Sequence, residues 1–198
     1  LAAPDIAGIS IATRPDCIDD DILSRIVSLC PAAPVSVELG FQSSKAETVQ
    51  YIRRGYGNSV YNDAVQRIHN ADSSIHIVTH VIFGLPGETE DDMLATVRYC
   101  TAAGTDGIKI TVLHVLEGTD LAFEYRSGKF RCMEMEEYFG IVSHALEIIP
   151  RKTVIHRLTG DGPKRILIAP LWTAQKHTVL NAMNRWFEEH DVIQGRYA

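Results

Sequence analysis

The chain has 198 residues, a hydrophobic content of 45% and a net charge of −6. Those totals support one domain with a substantial core, and they exclude a broad basic footprint for nucleic acid, leaving room for a local basic patch only. No apolar run reaches the length of a membrane span and no signal peptide is visible, so a cytoplasmic protein is expected.

Residues 6–13 read as a strand ended by Arg14-Pro15-Asp16, and Asp19 or Asp20 can cap a helix over residues 21–30. A second strand is expected over residues 35–43, then helices over 44–54 and 58–71, the first of them closed by Gly55 and Gly57. Residues 75–83 are dominated by β-branched and aromatic side chains, which suits a strand covered on both faces. Gly84 and Gly87 follow, with Pro86 between them, and Thr89 caps a helix over 90–103 whose first turn carries Glu90, Asp91 and Asp92. Further strands are read at 107–116 and 153–158, with a loop at 117–120 between them. Helices are read at 135–149 and 173–190, and a short apolar piece at 166–171 precedes the second. The four cysteines, Cys17, Cys30, Cys100 and Cys132, are scattered and form no Cys-x-x-Cys pair. They read as reduced thiols, two on buried helix faces, and not as a disulfide framework or a metal site.

Alternating strands and helices predict an α/β fold with a parallel sheet and right-handed crossovers. Five strands are too few for a closed eight-stranded barrel. In either an open doubly wound sheet or a partial barrel, ligands sit at the C-terminal strand ends. Period-2 alternation places Ser36, Glu38, Gly40 and Gln42 on one face of the second strand. A carboxylate there needs a polar partner, such as a ribose diol, the backbone or Arg14. On the next strand His76, His80, Ile82 and Gly84 share a face; His76 is read as structural and His80 as a site candidate. Arg53 or Arg54 could reach a ligand carboxylate. His114, and the cluster of His156, Arg157 and Asp161, mark the last two strand ends.

Three segments taken together, Thr13-Arg-Pro-Asp16, Glu38-Leu-Gly-Phe-Gln-Ser43 and Ile82-Phe-Gly-Leu-Pro-Gly-Glu-Thr89, resemble the radical S-adenosylmethionine (SAM) enzymes. The likeness is to the branch holding oxygen-independent coproporphyrinogen oxidase and the Elongator catalytic subunit, and within it to the YhcC-like Fe–S oxidoreductase subgroup. The tail His156-Arg-Leu-Thr-Gly-Asp-Gly-Pro163 with Ile168-Ala-Pro-Leu-Trp172 looks like that subgroup's hallmark. The resemblance covers nearly the whole chain and implies part of an open (β/α)6, TIM-type partial barrel with a C-terminal extension.

By position in the motifs, the resemblance implies that Glu38 and Gln42 meet the ribose of S-adenosylmethionine and Arg54 its carboxylate. It also implies that His80, Ile82, Gly84 and Leu85 lie against the cofactor, while His114, His156, Arg157 and Asp161 face an unknown substrate, a small molecule or RNA. It further implies a [4Fe–4S] cluster and an external electron donor such as flavodoxin or ferredoxin. The family's Cys-x-x-x-Cys-x-x-Cys does not occur in the chain. The expectation is therefore a C-terminal portion of a radical enzyme, with the cluster-bearing βα units outside this sequence, inactive by itself and prone to self-association. The alternative is a module that binds a nucleotide-like ligand without redox chemistry. A hydrolase-like or aldolase-like enzyme fits less well, since no Gly-x-Ser-x-Gly occurs and Lys109 is the only strand lysine.

Overall fold

The computed structural model describes residues 6–160 and 162–198. Its centre is a five-stranded parallel sheet in the order β1 (Ile9–Thr13), β2 (Val35–Gln42), β3 (His76–Phe83), β4 (Gly107–Val112), β6 (Val154–Arg157). The two strands between and after, β5 (Val115–Leu116) and β7 (Leu167–Ala169), form a separate antiparallel pair. Helices α1 (Asp20–Val27), α2 (Ala46–Tyr51), α3 (Asn58–Ala71), α4 (Glu90–Ala103), α5 (Asp120–Arg126), α6 (Met135–Ile148) and α7 (Lys176–Glu189) complete the described chain.

Strand alternation decides which face is covered. Val35, Val37, Leu39 and Phe41 of β2 are buried, as are Ile77, Val81 and Phe83 of β3 and Ile108, Ile110 and Val112 of β4. They form one core with Tyr61, Val65 and Ile68 of α3, Met93 and Val97 of α4, and Tyr138, Phe139 and Val142 of α6. The opposite face of the sheet carries Ser10, Glu38, His76, His80 and Lys109, none of them fully buried. No residue of 75–83 is exposed: helices cover one face, and on the other Val78 is buried while His76, His80 and Ile82 are half-buried, because every second residue points to it.

Three boundaries also differ from the sequence reading. The strand expected over 107–116 is two, because the chain leaves the main sheet after Val112 and Val115 pairs with Ala169. The loop expected at 117–120 ends in a helix start: the Thr119 hydroxyl accepts a hydrogen bond from Ala122 N–H and caps α5. The helix expected to reach Arg54 ends at Tyr51, since Arg53 turns left-handed at φ 54°.

Candidate functional site

The C-terminal ends of the paired strands β2 and β3 open onto a cavity of about 640 Å³. Gln42, Arg54, Tyr56, Ile82, Leu85 and Leu113 line its floor and walls, and residues 119–121 and Glu124 close one side. This end of a parallel sheet is where ligands of α/β proteins bind. The wall of Ile82, Leu85, Pro86 and Leu113 is apolar, and polar groups enter at a few points, as small-molecule sites require.

Each wall has a local cause. Gly84 and Gly87 hold φ of 84° and 82°, which L side chains rarely adopt, so the chain can turn sharply around Leu85 and Pro86. Thr89 and Asp92 then cap α4 reciprocally: Asp92 N–H donates to the Thr89 hydroxyl, and Thr89 N–H donates to the Asp92 carboxylate at 2.8 Å. Lys45 Nζ crosses from the β2 exit to this turn, donating to Gly87 O and to Asp92 Oδ2, both at 2.8 Å. On the β2 side Gln42 itself is left-handed, at φ 65°. A non-glycine residue held there stores about 1–3 kcal/mol and persists only where its surroundings over-determine it.

Arg54 supplies much of that constraint. Its guanidinium is buried and donates to Phe41 O and Ser43 O at 2.7 Å each, to Tyr56 O at 3.0 Å and to Asn58 Oδ1 at 2.7 Å. Its Cζ lies 4.8 Å from the Phe41 ring centroid and 4.5 Å from that of Tyr56. Of the five N–H donors of an arginine, one is left for anything in the cavity. Arg53, its neighbour, is exposed and pairs with Asp120 at 2.9 Å.

Glu38 and His80 lie in a different place. Glu38 is four residues before Gln42, about 13 Å back along the strand, on the polar face of the sheet. Its Oε1 accepts from Ser10 Oγ at 2.7 Å, and its Oε2 accepts from Lys109 Nζ at 2.6 Å and pairs with His80 Nε2 at 2.7 Å. Burial alone would raise this carboxyl, but the bonds from Lys109, Ser10 and His80 outweigh burial and bring it down to about 2. Burial lowers His80, helped by the charges of Lys109 and Arg157 and opposed by Glu38. Both oxygens of the Glu38 carboxylate already have partners, and neither Glu38 nor His80 lines the cavity. The partner predicted for Glu38, Arg14, is instead bonded to Asp16.

The substrate-side candidates are also spread. His156 Nε2 stands 3.0 Å from His76 Nε2, and the two rings cover Gly107, where a Cβ would come within 2.6 Å of His156. Arg157 is in register with Lys109 on the polar face. His114 packs beneath Gly160 and Gly162, at both of which a Cβ would meet its ring. Asp161 lies outside the described residues. Among the described residues no group of three or more His, Cys, Asp or Glu could hold a metal ion, and the four cysteines stand singly, so the residues present do not fit an iron–sulfur cluster.

No sequence pattern singles out the Glu38 contacts of Lys109 and Ser10, the cavity positions of Tyr56 and Leu113, or helix α5. Lys109 was legible in principle, since the alternation Gly107, Lys109, Thr111 puts it on the polar face of β4. The others depend on packing between distant segments.

Family models match almost the whole chain: the radical SAM superfamily over residues 2–100 and the radical SAM C-terminal domain over residues 105–189. The chain belongs to the radical SAM superfamily. Among curated relatives it is 37% identical to the uncharacterised protein YtqA of Bacillus subtilis, over 100% of this chain and 61% of that protein. It is 29% identical to YhcC of Escherichia coli K12, over 97% of this chain and 62% of that protein. The chain thus spans about three fifths of these relatives. In fold, this radical SAM chain is similar to the archaeal Elp3 of Methanocaldococcus infernus, with a TM-score of 0.81 at 24% identity, covering 95% of this chain and 43% of that one. Coproporphyrinogen III oxidase of E. coli, a radical SAM enzyme, gives a TM-score of 0.54 at 15% identity, over 70% of this chain and 31% of that one. The parallel α/β sheet is that of radical SAM enzymes with partial barrels.

Proposed function

We propose that the cavity at the β2 and β3 exits is the S-adenosylmethionine site of a radical SAM enzyme, and that this chain is the C-terminal portion of its barrel plus an extension. The observation that carries the reading is the convergence of Gln42, Arg54, Ile82 and Leu85 on one cavity in a chain of this family. A volume of about 640 Å³ suits a ligand of nucleoside size. The apolar wall of Ile82, Leu85 and Leu113 would take the adenine face, and the Gln42 amide would donate to or accept from a ribose hydroxyl. The remaining N–H of Arg54 would meet the carboxylate, its other donors keeping the rim in place.

When bound, S-adenosylmethionine supplies the one-electron chemistry of the superfamily, with a [4Fe–4S] cluster whose ligands would come from outside this sequence and an external donor such as flavodoxin or ferredoxin. This chain's own residues bind and orient the cofactor; alone it would not carry out the reaction. The substrate would approach over the polar face near His114, His156 and Arg157. An RNA base is one candidate class: the tRNA uridine(34) acetyltransferase of Methanocaldococcus jannaschii is 25% identical over 92% of this chain and 33% of that protein. No helix among the described residues is long and apolar enough to cross a membrane, which is compatible with a cytoplasmic enzyme.

Calorimetry of the chain with S-adenosylhomocysteine tests the cavity: binding is expected, and Ile82→Glu, which puts a charge in the apolar wall, should abolish it. Anaerobic reconstitution of the intact protein tests the chemistry. A [4Fe–4S]⁺ EPR signal perturbed by S-adenosylmethionine is the expected result. Binding without any such cluster would leave a nucleotide-like binding module instead.

A further inference from the structure

The two chain reversals that flank the cavity are tied to each other by a carboxylate that does not line it. At the β2 exit, Ser43 N–H donates to Phe41 O at 2.8 Å, closing a three-residue turn with left-handed Gln42 at its centre. Turns of that hand are rare and depend on what surrounds them. Arg54 clamps the two flanking carbonyls from one side. From the other side the Ser43 hydroxyl, wholly buried, donates to Glu88 Oε1 and accepts from Lys45 N–H at 3.1 Å. Glu88 directly follows Gly87, and its own N–H donates to Leu85 O at 3.1 Å. One residue therefore spans from the turn that carries Gln42 to the turn that carries Leu85.

A carboxylate before a helix needs no such partner. Asp91, in the first turn of α4, faces solvent and serves the helix dipole from there. Glu88 is drawn inward instead, and burial raises its carboxyl despite the hydrogen bonds from Ser43 and Thr48. Desolvating a carboxylate is costly, and its return here is the fixed turn. The turn directs a side chain as well. The Gln42 amide folds back over Gly40, where a Cβ would lie 2.7 Å from Gln42 Nε2.

We propose that Glu88 is a positioning residue for the cofactor: acting through the Ser43 hydroxyl, it holds Gln42 left-handed and so sets the direction in which the Gln42 amide meets the ligand. The inference rests on the cavity being the S-adenosylmethionine site. Glu88 touches neither ligand nor reacting atoms.

The test compares the wild-type chain with Glu88→Ala and Glu88→Gln, isotopically labelled. Three quantities are read: the intraresidue amide-to-Hα NOE of Gln42, which is strong only at positive φ; the Kd for S-adenosylhomocysteine; and the urea midpoint. Glu88→Ala should lose the Gln42 signature and bind about tenfold more weakly, the loss of one oriented hydrogen bond. Glu88→Gln keeps an acceptor for the Ser43 hydroxyl and should keep both signature and affinity within about twofold. A Glu88→Ala chain that is folded, with Gln42 and Kd unchanged, overturns the proposal while leaving the cavity reading intact. If Glu88→Ala does not fold, Ser43→Ala, which removes the hydroxyl alone, is judged by the same two outcomes. No binding by the wild type overturns the cavity reading and this proposal together.

Discussion

Glu38 shows how a single side chain changes meaning between sequence and structure. Its carboxylate on β2 joins Ser10 of β1, His80 of β3 and Lys109 of β4, so it ties four consecutive strands of the sheet. Because its value drops from 4.5 to about 2 on folding, its contribution is fully present above about pH 5 and is lost as pH falls toward 2. The linkage amounts to at most about 3 kcal/mol. Glu38→Gln should therefore lower stability at pH 7 by about 3 kcal/mol, since Lys109 is left charged and unpaired in a mostly buried position. Urea titrations from pH 2 to pH 7 check both points: the variant's stability should be flatter than the wild type's between pH 5 and pH 2. Arg54→Lys should also be costly, by about 2–3 kcal/mol, because an ammonium cannot reach four acceptors in a fork or stack between Phe41 and Tyr56. An unperturbed urea midpoint would refute that role.

At the scale of elements, the two glycine-bearing strand ends define the cavity. Gly84 combines a φ of 84° with Met133 Sδ at 3.4 Å from where a Cβ would stand. Gly84→Ala should cost about 1–2 kcal/mol from backbone conformation alone and weaken S-adenosylhomocysteine binding, because Ile82 and Leu85 move with the turn. Calorimetry and thermal melts of the same variant separate the two effects. Much of this was legible from local rules: the helices Asn58–Ala71 and Glu90–Ala103 occur where periodicity and caps place them. Helix α5 was not legible, because residues 117–120 carry turn chemistry and the seven-residue helix is too short to show a helical period. The departure of β5 from the main sheet was not legible either, since its partner Leu167–Ala169 lies some fifty residues on.

At the scale of the molecule, the sheet is helix-covered on one face and largely polar on the other, and among the described residues β1 pairs only with β2. An edge strand with unpaired backbone groups invites pairing with another chain. Sedimentation velocity should show concentration-dependent association of the chain, and Ile11→Lys or Thr13→Pro on β1 should suppress it. A monomer at all concentrations would count against that reading.

What the sequence determined by itself was the alternation of strands and helices, the glycine turn and the family, because caps, turn residues and period-2 patterns are local and the motifs are contiguous. Only the tertiary structure decided which polar residues work together. Gln42, Arg54, Ile82 and Leu85 share a cavity because they stand at the same height on adjacent elements. Glu38 and His80, on the same strands as Gln42 and Ile82, lie lower, where the Glu38 carboxylate holds both His80 and Lys109. Position along a strand is readable from sequence; the register that aligns one strand's height with the next is set by packing between them.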